Sequence, residues 1–128
     1  MHMLLFLTSV ATGFLTGAVG AEPTAALKLA RAGDFDTIFE VRCAQDAGQL
    51  PVVCRAAVAR ADDAAAVVVT FPNGFARTLT LADGKFLRGN PTMSGVGTDT
   101  EWRLTDGTYY IRVDDQRFEL PARLVFEE

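Results

Sequence analysis

Residues 65 to 84, AAVVVTFPNGFARTLTLADG, predict two antiparallel strands joined by a tight turn. Pro72-Asn73-Gly74 is a turn sequence between a valine-rich run, Ala65–Phe71, and an alternating run, Phe75–Leu81. Asp83-Gly84 follows as a second turn and is the dipeptide that two-residue hairpins prefer. This stretch therefore predicts a mainly β protein that is built as an antiparallel meander.

The meander continues toward the C-terminus. Asp106-Gly107 is a third hairpin turn, and the runs beyond it and before it alternate between apolar and polar residues. We predict four strands here: Thr100–Thr105, Thr108–Val113, Arg117–Leu120 and Arg123–Phe126. Pro121 lacks a backbone N–H, which predicts that its region lies at a sheet edge or a bulge. Arg88–Thr98 is predicted to be a long glycine-rich loop.

The preceding residues supply a helix and further strands. Pro23–Ala32 predicts a short helix, Phe35–Cys43 alternates like a half-buried strand, and Ala44–Leu50 is predicted to be a loop. Val52–Ala61 is ambiguous, because its alternation favours a strand whereas its alanines and leading proline also suit a helix; we favour the strand. The predicted fold class is mainly β, an antiparallel meander sheet or small barrel with one short N-terminal helix.

The two cysteines, Cys43 and Cys54, are predicted to form a disulfide. Ten residues lie between them, which is far from the C-x-x-C spacing of redox and metal sites. A bridge across so short a loop would stabilise the fold by roughly 3 kcal/mol in the chain-entropy model. We therefore expect a structural disulfide, which fits a protein that folds in an oxidising compartment.

The first 21 residues, MHMLLFLTSVATGFLTGAVGA, have the pattern of a secretory signal peptide. They contain no Asp, Glu, Lys or Arg and end in small residues, which predicts cleavage after Ala21. Residues 22–128 would then form a single domain in the periplasm or outside the cell. The apolar run is short for a membrane span, so an uncleaved segment that tethers the domain to the inner membrane is the alternative.

The only histidine, His2, lies within this segment. A mature chain without histidine has neither an imidazole base for a nucleophile nor a histidine ligand for zinc. We therefore expect no catalytic residue, no metal and no cofactor. The net charge of −4 also argues against nucleic acid as a partner. Because acidic residues are plentiful, a carboxylate-dependent enzyme acting on glycan is kept as an alternative.

Aromatic residues cluster around the third hairpin turn. Trp102, Tyr109 and Tyr110, together with Arg103, would form a binding surface if their side chains were exposed. A Trp102 buried in the core of the sheet is the simpler alternative and the one that we favour. The function predicted from these observations is a non-enzymatic binding or accessory subunit with a protein partner in the cell envelope.

Three short motifs follow one another along part of the chain. They are Val69 to Gly74 (VTFPNG), the alternating Leu79 and Leu81, and Ser94-Gly95 before an aromatic-containing strand. Over about residues 67 to 111 they resemble the periplasmic inhibitors of c-type lysozyme. The resemblance implies a small exported β-barrel whose Ser94-Gly95 loop inserts into the lysozyme cleft. Inhibition of lysozyme through this loop is therefore an alternative function.

Overall fold

The computed structural model describes residues 23–89 and 99–127. These residues form eight strands and two short helices: α1 Thr24–Arg31, β1 Thr37–Ala44, β2 Val52–Ala61, β3 Ala64–Thr70, β4 Ala76–Ala82, β5 Lys85–Gly89, β6 Thr100–Thr105, β7 Thr108–Val113, β8 Gln116–Pro121 and α2 Ala122–Phe126. All strand pairs are antiparallel, in the order β5-β4-β3-β2-β1-β8-β7-β6. The predicted mainly β class is confirmed, and the sheet curls into a nearly closed barrel.

Side chains connect the two ends of the sheet across the seam of the barrel. The phenol of Tyr109 on β7 donates a hydrogen bond of 2.7 Å to the carbonyl oxygen of Gly84 in the turn before β5. Gly89 at the end of β5 lies so close to β7 that a Cβ there would be 3.1 Å from Val113 Cγ1. The inner faces of the strands supply the core, whose largest fully buried side chains include Tyr109, Phe71, Phe118, Leu79, Leu81 and Leu120.

Helix α1 packs on the outer face of the sheet through alanines. Ala26 and Ala30 of the helix cluster with small residues of β2, β3 and β4, namely Ala59, Ala64, Ala66 and Ala82. Small side chains on both sides let a helix approach a sheet closely without leaving voids. The predicted helix Pro23–Ala32 is confirmed to within one residue at each end, and Gly33 follows it with a φ of +75°.

The hairpin turns lie where the sequence predicts them. Asp83 and Gly84 both have positive φ, 55° and 78°, and Asp106 and Gly107 repeat the arrangement at 51° and 78°. Positive φ at both central residues matches the twist of the flanking strands, which explains the preference for Asp-Gly. Asp114, with φ 53°, begins a further turn between β7 and β8 that the sequence does not single out.

The ambiguous segment Val52–Ala61 is a strand, as favoured, and it pairs with β1. The predicted Cys43–Cys54 disulfide joins these neighbouring strands, with the two Cα atoms 5.9 Å apart. Both cysteines belong to the buried core of the barrel. The bridge therefore fixes β1 to β2 beyond their main-chain hydrogen bonds.

The prediction of a strand at Arg123–Phe126 is wrong, because these residues belong to α2. Arg60 on β2 holds the end of this helix: its Nε donates to the carbonyl oxygen of Val125 at 2.7 Å, and its Nη2 donates to Leu124 at 2.8 Å and Glu127 at 2.7 Å. Val125 is fully buried in the core. These contacts come from a distant strand, and a four-residue alternation does not reveal them.

The Pro121 region is an edge locally, as predicted, although β8 is an interior strand: at Pro121 its side toward β1 is unpaired. Pro121 is the last residue of β8, which lies between β1 and β7. The register between β1 and β8 ends at the pair Arg42 and Glu119, two residues before the proline. The missing N–H therefore interrupts no bond of that ladder.

Strand β5 is the element that the sequence does not predict. The predicted loop Arg88–Thr98 is wrong at Arg88 and Gly89, which are the last two residues of β5. The pairing of β5 with β4 shifts register between Thr80 and Leu81. A bulge of this kind breaks the two-residue alternation, so the strand lacks the pattern by which strands are recognised.

Candidate binding groove

The outer face of β6, β7, β8 and β1 carries two rows of side chains that run across the strands. Strand register places Glu101, Arg112, Arg117 and Ala44 in the first row, and Arg103, Tyr110, Glu119 and Arg42 in the second. Directly opposite residues share one face of an antiparallel sheet, so all eight project outward together. They line a groove of about 740 Å³, which we call the arginine groove.

The arginine groove is positively charged on an acidic protein. Four arginines and two glutamates line it, a net of +2 on a chain whose total is −4. Arg112 is paired with Glu101 at 3.4 Å and with Asp99 at 3.2 Å. Desolvation lowers the pKa of Arg112, but its hydrogen bonds and charge interactions with these two carboxylates outweigh it and raise the pKa. Glu101 and Asp99 are thus both paired with Arg112.

Arg42 is held more loosely. Its Nε lies 3.6 Å from Glu119 Oε1, and the Arg42 side chain is 63% exposed. An exposed pair of this length contributes little stability, because water and salt screen it. Both glutamates of the groove thus lie next to an arginine, Glu101 beside Arg112 and Glu119 beside Arg42.

Arg103 and Arg117 differ from these two. Within residues 23–89 and 99–127, neither guanidinium forms an ion pair with a carboxylate. The Arg103 guanidinium carbon lies 4.2 Å from the centre of the Tyr110 ring. Arg117 instead donates through Nη2 to the carbonyl oxygens of Asp46 and Gln49 in the loop after β1. Two cationic groups in the groove are thus without an acidic partner in the described part of the chain.

The groove becomes apolar where it reaches β1 and β2. Ala44 and Pro51 line this end, and Val53 lies opposite Arg42 in the strand register. Val53 is 58% exposed and Leu50 is 82% exposed. The row that begins with Arg103 and Tyr110 on β6 and β7 therefore ends on the exposed Val53.

The predicted binding residues divide between the two faces of the β6–β7 hairpin. Arg103 and Tyr110 lie together on the outer face, in the groove. Trp102 and Tyr109 are on the inner face, with ring centroids 6.1 Å apart. Tyr109 is 1% exposed, and burial raises the pKa of its phenol, whereas Trp102 keeps 40% exposure. The favoured burial of Trp102 in the core is therefore wrong: its ring packs against Tyr109, but the residue stays exposed and also borders the groove.

Ser94 and Gly95 lie outside the described residues, so inhibition of lysozyme through their loop stays a prediction. The sequence missed the other members of the groove: Arg42, Glu101, Arg112, Arg117 and Glu119. Their only local signal is that each occupies a polar position of an alternating strand. These five residues can be grouped only when the pairing of β1 with β8 is known.

The chemistry that this arrangement supports is anion binding. Guanidinium groups offer planar sets of N–H donors to carboxylates and phosphates, and an aromatic ring holds one of them in place. In the described ranges, no group of three or more metal-ligating residues is present. Nor do the helices seen there include one with the length and apolarity of a membrane span.

Comparison of the chain with protein families, with curated proteins and with solved structures found no match.

Proposed function

We propose that this protein is a non-enzymatic exported domain that serves as a binding or accessory subunit of a cell-envelope component. The observation that carries the proposal is Arg103 stacked on Tyr110 in a groove where Arg103 and Arg117 have no acidic partner in the described part of the chain. Tyrosine and arginine are enriched among the residues that dominate the energy of protein interfaces. The arginine groove is thus the surface by which the domain contacts its partner.

Export is supported by the apolar, uncharged segment before residue 22 and by the disulfide between Cys43 and Cys54. N-terminal sequencing of the protein purified from the organism that encodes it tests this part. We expect the sequence to begin at Glu22. A chain that begins at Met1 and fractionates with the inner membrane would instead favour a tethered domain.

Site-specific crosslinking tests the contact surface. A photoreactive benzoylphenylalanine at Thr105, which is exposed beside Arg103 on the outer face of β6, should capture one envelope protein in stoichiometric yield. The same group at the exposed Lys28 on α1 should capture none. Adding Arg103→Gln should abolish the product at Thr105. Equal products at both positions, or none at Thr105, would contradict the proposal.

A further inference from the structure

We infer that the arginine groove binds an extended acidic segment of the partner protein, with carboxylates on Arg103 and Arg117. This inference rests on the proposed function, because it names the chemistry of the partner that the domain contacts. It begins from the charges that are available. Arg112 is already held by Glu101 and Asp99, whereas Arg103 and Arg117 lack an ion pair throughout the residues that the structure describes.

The spacing of the two arginines requires more than one anionic group. Arg103 is on β6 and Arg117 is on β8, so β7 lies between them. Alternate strands are about 10 Å apart and the two arginines are also offset by two residues along the strands, which gives a separation of about 12 Å. Side chains on one face of an extended peptide recur about every 7 Å, and every second one about every 14 Å. The flexible arginine stems can close that difference. Two carboxylates on one face of an extended segment therefore match the two guanidinium groups.

The contact with Tyr110 prepares Arg103 for this role. Its guanidinium carbon lies 4.2 Å from the ring centre, which holds the group against the groove floor instead of leaving it to sample solvent. A guanidinium oriented in advance presents parallel N–H donors that fit both oxygens of a carboxylate. A lysine would offer a point charge without this fork, so the site requires arginine.

The apolar end of the groove favours a protein segment over a phosphate polymer or a membrane surface. Pro51 and Val53 offer aliphatic contacts beside the charged rows, and a polyphosphate chain has no group to fill them. A segment whose groove-facing positions carry two acidic residues and then an aliphatic one satisfies both ends.

Binding of a synthetic probe to the full mature protein tests the inference. The probe is an acetylated peptide that carries Glu at two alternate positions and Val at the next alternate position, with Thr between them, and its binding is followed by fluorescence anisotropy. In the matched peptide, Gln replaces both Glu residues. We expect the Glu peptide to bind and the Gln peptide to fail. Arg103→Gln and Arg117→Gln should each weaken binding about tenfold, as expected for the loss of one charge-assisted contact.

Two further variants separate the site from general effects. Arg31→Gln on α1 removes the same charge from an exposed position and should leave binding unchanged. Arg103→Lys should bind nearly as weakly as Arg103→Gln, because the fork is lost while the charge is kept. Since Arg117 also supports the loop after β1, the exposed Arg103 variants keep the test independent of that loop.

Several results would overturn the inference. Polyphosphate and vesicles of phosphatidylglycerol and phosphatidylcholine are the competing probes. Tighter binding of either, lost in Arg103→Gln, would assign the groove to phosphate. A Glu peptide that does not bind, or that binds all variants equally, would reject the acidic segment. If crosslinking from Thr105 still succeeded in that case, the groove would remain the contact surface and only the partner's chemistry would be wrong.

Discussion

Arg103 and Tyr110 are direct register partners on β6 and β7, and the guanidinium of one lies over the ring of the other at 4.2 Å. At an exposed site such a contact is worth about 0.5–1 kcal/mol. That energy is small beside the stability of a domain, so the contact matters chiefly because it orients the arginine. The following variants separate orientation from stability.

Replacing Tyr110 should affect binding much more than folding. In Tyr110→Leu the ring beneath Arg103 is lost, and we expect the Glu–Val peptide to bind several-fold more weakly. The free energy of unfolding should change by no more than about 1 kcal/mol, because the lost contact is exposed. Tyr110→Phe keeps the ring and should retain binding. Unfolding in urea and peptide anisotropy measure the two effects; a large loss of stability in Tyr110→Leu would refute this division.

Tyr109 should behave in the opposite way. Tyr109→Phe removes the hydrogen bond to the Gly84 carbonyl across the seam, and we expect a loss of about 1 kcal/mol with unchanged peptide binding. Burial raises the pKa of Tyr109 above its ordinary value of 10.0, so the folded state favours the neutral phenol. Its contribution is therefore complete below pH about 10 and is lost as the pH rises through the higher folded value.

The measurement is urea unfolding of the native protein and Tyr109→Phe on both sides of that pH. The native protein should lose more stability than the variant on the alkaline side. Tyr110→Phe, the neighbouring tyrosine on the other face, should lose as much as the native protein. Parallel losses in all three proteins would exclude Tyr109 as their source.

The disulfide should contribute more to stability than Tyr109 or Tyr110. Cys43→Ala with Cys54→Ala opens the bridge between β1 and β2, and we expect a loss of roughly 3 kcal/mol. Dithiothreitol should lower the thermal unfolding temperature of the native protein and leave that of the double variant unchanged. A native protein that is indifferent to the reductant while its thiols become reactive would contradict the expectation.

Arg60 should control the C-terminal helix without controlling the barrel. Arg60→Gln loses the donors to the carbonyl oxygens of Val125 and Leu124, so amide protons of α2 should exchange with solvent faster. The exposed Arg55→Gln on the same strand is the matched control and should leave that exchange unchanged. Hydrogen exchange followed by mass spectrometry reads both regions at once. Equal acceleration in β2 would mean that Arg60 supports the whole barrel.

Local sequence signals predict the hairpins well. The bounds of β6 and β7 follow from alternation on both sides of Asp106-Gly107, whose positive φ angles suit a two-residue turn. Helix α2 escapes prediction because its five residues are too few for a helical period to be read, and strand β5 escapes it because a bulge interrupts the alternation. Their conformations depend on distant contacts, such as those that Arg60 makes with α2.

Only the part of the groove on β6 and β7 can be predicted from the sequence. Alternation shows from sequence alone that Arg103 leaves the hairpin on the face opposite Trp102. The other half of the groove depends on the pairing of Arg42 with Glu119, two residues from opposite ends of the domain. No nearby residue encodes that pairing. It arises when the barrel brings β1 and β8 together.

The hydrogen bonds from Arg117 to the loop after β1 leave some side chains of that loop free to vary in sequence. Its donors reach main-chain oxygens of Asp46 and Gln49, and the Gln49 side chain accepts from the amides of Gln45 and Asp46. The loop's course is thus independent of the side chains at Ala47 and Leu50. Those two positions could be exchanged to retune which partners the domain accepts, while the scaffold beneath them kept its shape.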